Sequence, residues 1–115
     1  EIADIYNQEL RSIKQLHLPP SPDASDDYFD VYQNYEIQAE RRDDLKLFLS
    51  DNGIGTLVQW NGQAVHSITE LGFSGNGLPY TEEVFKKCIM IPMNTSLTND
   101  EVKYVCNKIK EFYAE

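Results

Sequence analysis

The stretch with the clearest chemical potential is a run of amide side chains around the only tryptophan, Gln59-Trp60-Asn61-Gly62-Gln63, followed by His66. Amides donate and accept hydrogen bonds, and an indole ring offers a flat stacking surface, so the combination suits a hydroxylated ring or a base. The run follows a predicted strand and precedes a predicted helix, where binding loops often lie. The alternative is that Trp60 belongs to the core and the amides cap a turn.

Motifs for metal binding, nucleophilic catalysis and dinucleotide binding are missing from the sequence. His17 and His66 have no His or Cys partner at metal-ligand spacing. The sequence contains no Gly-x-Ser-x-Gly and no Cys-x-x-Cys. The glycines at 72, 75 and 77 do not follow a strand and do not match the dinucleotide fingerprint. The sequence therefore predicts neither a metal site nor a nucleophile.

The lysines do not form a convincing anchor for a carbonyl cofactor. A lysine that forms a Schiff base must be neutral, which requires burial or a cationic neighbour. All seven lysines fall on predicted helices, mostly at polar positions, which favours solvated and charged side chains. They are Lys14, Lys46, Lys86, Lys87, Lys103, Lys108 and Lys110. No catalytic or cofactor-binding residue is therefore predicted within this chain.

Hydrophobic periodicity gives the order of the elements that must position the amide run. The predicted elements are a helix over residues 2–16, a strand over 31–38, a helix starting near Arg41, a strand over 56–60, a helix over 63–71, a short helix capped by Thr81, a strand over 88–91 and a final helix after Thr98. This order predicts an α/β (α+β) fold, with a small sheet of about three strands and helices packed on it.

Side-chain patterns predict which faces of these elements are buried. The side chains expected to face the core include Val31, Tyr35 and Ile37 in the first strand, Val65, Ile68 and Leu71 in the 63–71 helix, and Val102, Val105, Cys106, Ile109, Phe112 and Tyr113 in the last helix. The last helix begins with a capping box, in which Thr98 and Glu101 satisfy each other's backbone N–H groups.

Length and charge exclude several classes of function. The 115 residues suffice for one domain with a modest core, so a single domain over residues 1–115 is expected. The net charge of −9 argues against nucleic acid as a partner, because phosphate binding needs a basic surface. No apolar stretch approaches the ~20 residues that span a membrane, and no signal peptide is recognisable. Cys88 and Cys106 fit small buried hydrophobic positions, so a cytoplasmic protein is predicted.

Six short motifs follow one another along nearly the whole chain. They are residues 30–37 with Arg42-Asp43-Asp44-Leu45, Leu49 with residues 52–56, Gln59-Trp60 with His66, Leu71-Gly72-Phe73 with residues 77–82, residues 89–93, and Leu97-Thr98 with Glu101-Val102. Taken in this order, they resemble the Tyr-rich strand followed by an Arg-Asp-x-Leu helix, the Leu-x-x-x-Gly-Ile-x-Thr stretch, the His-Tyr-Pro segment leading to a second His, the Leu-Gly-Tyr turn with Phe-Pro-x-Ala-Glu, the Leu-Ser-Leu-Pro-Met stretch and the Leu-Thr-x-x-Glu close of DegT/StrS-type sugar aminotransferases.

The resemblance implies a fold-type-I enzyme that uses pyridoxal phosphate and works as a homodimer. Such an enzyme moves an amino group, typically from glutamate, to a keto sugar linked to a nucleotide. The matched region is the C-terminal small domain of that family, and the large domain that carries the Schiff-base lysine would precede it. The resemblance thus implies that this chain is a fragment, inactive alone and without a cofactor of its own.

The same resemblance makes Gln59, Trp60, Asn61 and His66 the candidate substrate contacts. None of the four would do the chemistry, which the cofactor and the missing lysine supply. Gln59 replaces the family's usual His, Asn61 replaces Pro, and the spacing to His66 is one residue longer.

Two other functions remain open at this point. The chain is alternatively a free-standing binding or interaction module derived from such a domain, using the surface around Trp60. A regulatory domain for a small metabolite is the third hypothesis. The length of the natural protein distinguishes the enzyme fragment from the free-standing module.

Overall fold

The computed structural model describes residues 1–21, 25–27, 30–73 and 77–114. At its centre is a three-stranded antiparallel sheet in the order β1-β2-β3, formed by β1 (Leu16–His17), β2 (Tyr35–Ala39) and β3 (Cys88–Ile91). Four helices surround it: α1 (Ile2–Leu10), α2 (Arg42–Asp51), α3 (Pro79–Lys87) and α4 (Asn99–Tyr113). The predicted fold class, a small sheet of about three strands with helices packed on it, is confirmed.

The core lies on one face of the sheet. Successive residues of a strand point to opposite faces, and Tyr35, Ile37 and Ala39 of β2 are buried while Glu36 is exposed. In the antiparallel register Tyr35 pairs with Ile91 and Ile37 with Ile89, so their side chains share a face. The helical residues that complete this core include Tyr6, Leu10, Leu45, Leu49, Val102, Val105, Cys106, Ile109 and Phe112. These side chains come from α1, α2 and α4.

The opposite face of the sheet carries Glu36 and Gln38, paired with Met90 and Cys88. A small cleft lies here, and its lining includes Glu36 and Cys88 of the sheet, Val58 and Gln59 of the segment after α2, and Val84 and Phe85 of α3. The segment with the amide run therefore lies on the face opposite the main core, beside α3.

The start of α4 confirms the predicted capping box. The Glu101 backbone N–H donates to Thr98 Oγ1 at 3.2 Å, and the Thr98 N–H donates to Glu101 Oε2 at 2.8 Å. These bonds satisfy two N–H groups that the first turn of a helix leaves without partners. The Thr98 N–H, together with the Thr98 hydroxyl that donates to Glu101 Oε2 at 3.0 Å, lowers the pKa of the Glu101 carboxyl below its ordinary value.

Thr98→Ala is expected to lower the free energy of unfolding by about 1 kcal/mol, because it removes the side-chain acceptor of the cap. Urea denaturation followed by circular dichroism measures the change. Thr95→Ala, an exposed threonine in the preceding loop, is the matched control. Equal stability of the two variants would contradict a contribution from the cap.

The prediction of a helix over residues 2–16 is wrong beyond Leu10. A turn follows, with the Ile13 N–H donating to Leu10 O at 3.0 Å. Leu16 and His17 then pair with Ala39 and Gln38 as the edge strand β1. Ile13 and Leu16 still pack against the core, so the apolar spacing identified the inward side chains but not the backbone type.

The strand predicted over 31–38 begins four residues later, at Tyr35. The backbone of Tyr32 is left-handed, with a φ of 43°, which interrupts an extended chain. Its N–H donates to Asp30 Oδ1 at 2.9 Å, a local bond that competes with strand pairing. Val31, expected to be buried, is exposed as a result.

The strand predicted over 56–60 is reduced to one bridge. Leu57 and Met90 exchange two backbone hydrogen bonds, of 3.1 and 2.8 Å. The extended chain stops where Trp60 adopts a left-handed backbone. The bridge fixes the start of the following turn against β3.

The helix predicted over 63–71 is replaced by two short 3-10 turns, Val65–Ser67 and Thr69–Leu71, ended by Gly72 at a φ of 87°. Val65 and Leu71, expected to point inward, are exposed. Thr81 does not cap the next helix, since α3 begins at Pro79 with Leu78 as the residue before it. Proline suits that first position because its missing N–H has no helical partner to bond.

Candidate functional site

The amide run forms a 3-10 turn over Gln59–Gly62, called here the Trp60 turn. Its backbone is left-handed at three successive residues, with φ values of 54° at Trp60, 53° at Asn61 and 72° at Gly62. The Gln63 N–H closes the turn by donating to Trp60 O at 2.9 Å. Asparagine and glycine tolerate this conformation, whereas tryptophan does so at a cost of order 1 kcal/mol or more. The surrounding structure must therefore hold the turn.

Trp60 is not a core residue. Its side chain is 75% exposed, and Gln59 and Asn61 are exposed beside it. The turn thus presents an indole ring and two amides to the surroundings of the chain. This arrangement offers a stacking surface together with hydrogen-bond donors and acceptors.

His66 lies in the next 3-10 turn and is placed differently. Its Nε2 lies 3.0 Å from Glu82 Oε1 of α3, and its side chain is only 12% exposed. The structure thus brings Gln59, Trp60 and Asn61 together on one exposed turn, whereas His66 links the following turn to α3.

Arg42 lies beside the Trp60 turn, a position that the sequence motif did not reveal. Its side chain is 10% exposed. Its Nη1 donates to the backbone oxygens of Phe85 and Cys88 at 3.0 and 2.9 Å, and its Nε donates to Asp43 Oδ1 at 2.7 Å. An arginine at the first position of a helix opposes the helix dipole. This unfavourable placement was the sign in the sequence that Arg42 makes contacts elsewhere in the fold.

The backbone of Gly62 approaches the same guanidinium group. A Cβ atom at Gly62 would lie 3.4 Å from Arg42 Nη2, 3.7 Å from Val58 Cγ1 and 3.8 Å from Phe85 O. The left-handed φ of 72° favours glycine at this position, whereas a Cβ atom there would make only ordinary van der Waals contacts. The last residue of the Trp60 turn thus lies against the side chain that joins α2 to α3 and β3.

The lysines do not fit a Schiff-base anchor for pyridoxal phosphate. Lys87 pairs with Glu83 at 3.2 Å, Lys108 with Glu111 at 2.8 Å, and Lys110 with Glu9 of α1. Such partners favour the charged amine, and the hydrogen bond to Glu111 raises the pKa of Lys108. The remaining lysines, Lys14, Lys46, Lys86 and Lys103, are exposed. All seven lie within the described residues, and none of them is buried.

The two cysteines are unsuited to nucleophilic catalysis. Burial, followed by the charge of Glu36, raises the pKa of Cys88 to about 11. Burial, followed by the charge of Glu9, raises that of Cys106 to about 11. A thiol must ionise to attack a substrate, so both remain protonated near neutral pH. Cys106 is fully buried, as predicted, whereas Cys88 is only partly buried.

The described part of the chain offers neither a cluster of metal ligands nor a membrane-spanning helix. No group of three or more His, Cys, Asp or Glu side chains there is placed to hold a metal ion. None of the described helices has the length and apolar character needed to cross a membrane.

The region around the Trp60 turn exposes an unusual amount of apolar surface. The large apolar side chains exposed between residues 57 and 80 include Leu57, Trp60, Val65, Leu71, Phe73, Leu78 and Tyr80. Within residues 57–80 the sequence has a single Asp, Glu, Lys or Arg, which is Glu70. A neutral apolar surface of this kind on an acidic chain is typical of a surface that another protein segment covers.

Solved structures of known enzymes contain the same fold. An aminotransferase of the DegT/DnrJ/EryC1/StrS type from Brucella abortus superimposes with a TM-score of 0.82 at 24% identity, covering 99% of this chain and 30% of that one. NtdA from Bacillus subtilis, solved with the bound cofactor PMP, gives a TM-score of 0.76 at 20% identity, covering 99% of this chain and 27% of that one. The fold is therefore that of one part of these enzymes.

The family follows from the sequence. The model of the DegT/DnrJ/EryC1/StrS aminotransferase family matches residues 1–110. The chain belongs to this family, whose aminotransferases depend on pyridoxal phosphate.

Two relatives support the assignment. The "GDP-perosamine synthase" of Escherichia coli O157:H7 is 32% identical over 118 residues, which cover 100% of this chain and 30% of that protein. The "Pleiotropic regulatory protein" of Geobacillus stearothermophilus is 34% identical over 100 residues, which cover 84% of this chain and 26% of that protein. The chain thus spans less than a third of the length of these relatives.

Proposed function

We propose that residues 1–115 are the C-terminal small domain of an aminotransferase that uses pyridoxal phosphate. The proposed reaction transfers an amino group from glutamate to a nucleotide-linked keto-deoxysugar. The observation that carries the proposal is the family match over residues 1–110, in a chain that spans less than a third of its relatives. On this proposal the chain alone is inactive.

The lysine environments support a division of labour between this domain and the rest of the enzyme. None of the seven lysines suits a Schiff base, so the cofactor anchor is proposed to lie outside these residues. Bound pyridoxal phosphate supplies the electron sink for amino-group transfer. The part played by this chain is to bind and orient the sugar nucleotide and to keep water out.

Gln59, Trp60, Asn61 and His66 are the proposed substrate contacts. The indole of Trp60 offers a stacking face, and the amides of Gln59 and Asn61 match hydroxyl, carbonyl or phosphate oxygens of a nucleotide sugar. His66 uses Nε2 for Glu82, which leaves Nδ1 as the ring nitrogen for a ligand. None of these groups is proposed to act as a general acid or base in the reaction.

The exposed apolar surface between residues 57 and 80 is proposed to pack against the remainder of the enzyme, which works as a homodimer. That packing would enclose the Trp60 turn at the substrate site and remove the apolar side chains from water. The net charge of −9 supports a protein without a nucleic-acid partner. A cytoplasmic location is part of the same proposal, as is a role in deoxysugar and polysaccharide biosynthesis.

A half-reaction tests the proposed function. The natural full-length protein, loaded with pyridoxal phosphate and given glutamate, is expected to form pyridoxamine phosphate and 2-oxoglutarate, both measured by chromatography. The 115-residue chain, treated in the same way, is the matched control and is expected to form neither. A full-length protein that retains no pyridoxal phosphate would refute the proposal.

A free-standing binding module is the second candidate, favoured by a chain that combines its own buried core with an exposed Trp60. Because Trp60 is the only tryptophan, its fluorescence reports binding directly. Titration of the 115-residue chain with thymidine-diphosphate glucose and guanosine-diphosphate mannose separates the two. Saturable quenching by the isolated chain supports the module, and its absence supports an incomplete site.

A further inference from the structure

We propose that Arg42 is a positioning residue, which holds the Trp60 turn in its left-handed conformation and so presents Gln59, Trp60 and Asn61 to the substrate. The effect on the turn rests on geometry alone. Its importance for substrate binding rests on the proposed function. Arg42 touches neither the reacting atoms nor, on this account, the substrate.

The guanidinium group of Arg42 is anchored by three elements of the fold. Arg42 begins α2, and its Nη1 donates to Phe85 O near the end of α3 and to Cys88 O at the start of β3. Its Nε pairs with Asp43 at 2.7 Å. With 10% of its side chain exposed, the group has little freedom to move. Three elements of the fold therefore fix its position.

The last residue of the Trp60 turn lies beside the Arg42 guanidinium group, since the ideal Cβ position of Gly62 is 3.4 Å from Arg42 Nη2. Trp60 and Asn61, just before it, hold left-handed backbones that most side chains avoid. Such conformations persist where neighbouring structure determines them. Arg42 is the polar side chain that the described structure places against this end of the turn.

The geometry of the guanidinium group explains why arginine suits position 42 better than lysine does. A planar guanidinium donates to two carbonyl oxygens and to a carboxylate at fixed angles, and here its Nη2 lies beside Gly62. Lysine has one nitrogen on a flexible stem, so it keeps the charge but loses the second nitrogen beside Gly62. Arg42→Lys should therefore rescue the bonds to α3 and β3 in part and the order of the turn less well.

Amide hydrogen exchange of the 115-residue chain tests this inference, because the Gln63 N–H bonds to Trp60 O and reports whether the turn is closed. In Arg42→Gln, exchange at Gln63 is expected to be about tenfold faster relative to the amides of α4, as a buried bonding partner is lost. Trp60 fluorescence anisotropy should fall in parallel. Arg42→Lys should give an intermediate value and keep α4 exchange unchanged.

Arg41→Gln is the matched control. Arg41 neighbours Arg42 and carries the same charge, but its Nε pairs with Asp44 on an exposed surface and its guanidinium lies over Phe112. Exchange at Gln63 should not change in this variant. Unchanged Gln63 exchange in both Arg42 variants, or a rise matched by the amides of α4, would overturn the inference.

Failure of this inference and failure of the proposed function are distinguishable, since the exchange measurement needs no ligand. A turn that stays closed in both Arg42→Gln and Arg42→Lys, in a protein that does form pyridoxamine phosphate, overturns the role of Arg42 alone. A turn that opens, in a protein that retains no pyridoxal phosphate, upholds the role of Arg42 and overturns the proposed function.

Discussion

Ile109→Ala is expected to lower the free energy of unfolding by about 2–5 kcal/mol, the range for truncating a buried isoleucine to alanine. Ile109 is fully buried in α4 and belongs to the cluster formed with α1, α2 and the sheet. Its removal costs the transfer free energy of the lost carbon atoms and leaves a cavity among side chains from several elements. Urea denaturation of the 115-residue chain, followed by circular dichroism, measures the loss.

Asn107→Ala, two residues earlier on the exposed face of the same helix, is the control. It changes helix propensity by less than about 0.7 kcal/mol and opens no cavity. The account of the core predicts a wide gap between the two variants. Similar stabilities would mean that α4 does not pack on the core as described.

Trp60→Ala is expected to raise the KM for the nucleotide sugar roughly ten- to a hundredfold in the full-length enzyme, since base stacking on an aromatic side chain contributes about 1–3 kcal/mol. The effect on kcat should be small, because the indole is proposed to bind the substrate and not to react. Steady-state kinetics with varied sugar nucleotide and saturating glutamate give both constants. The melting temperature of the 115-residue chain should hardly change, as the Trp60 side chain is 75% exposed there.

Tyr80→Ala is the matched control for this experiment, because Tyr80 is an equally exposed aromatic residue, at 80%, that lies outside the Trp60 turn. Removal of the Tyr80 side chain should leave the KM within about twofold of that of the parent enzyme, if the effect of Trp60→Ala reflects substrate contact and not the loss of any exposed aromatic side chain. An equal rise in KM in the two variants would indicate that both side chains act in domain packing and not in substrate contact. An unchanged KM in Trp60→Ala would remove Trp60 from the substrate site.

Features that depend on neighbouring residues were predictable from the sequence. The Thr98 capping box, the alternating pattern of Tyr35, Ile37 and Ala39, and the apolar stripe of α4 each follow from side chains a few positions apart. The count of about three strands was also right. One of the three was assigned to the wrong residues, because β1 exists only through its pairing with Ala39 and Gln38.

Features that depend on distant partners could not be read from local patterns. The 63–71 segment has helical apolar spacing, which predicts that Val65 and Leu71 are buried. Both are exposed, and on the proposed function the rest of the enzyme covers them. The sequence gives no local sign of the left-handed backbone at Trp60, since the support comes from Arg42, eighteen positions away in the sequence.

The candidate contacts illustrate the same division. Residue types indicated that Gln59, Trp60 and Asn61 form a recognition surface, and the structure places them on one exposed turn. The pairing of His66 with Glu82 required tertiary structure, because sixteen residues separate them. The role of all four in substrate binding stays a prediction.

Borohydride reduction of the natural protein in the presence of pyridoxal phosphate, followed by intact mass and peptide mapping, tests the central claim most directly. The account predicts a protein about three times longer than this chain, since the chain spans 26–30% of its relatives. It also predicts a pyridoxyl-lysine outside residues 1–115. A natural product of these residues alone, or a pyridoxyl group on one of their seven lysines, would contradict it.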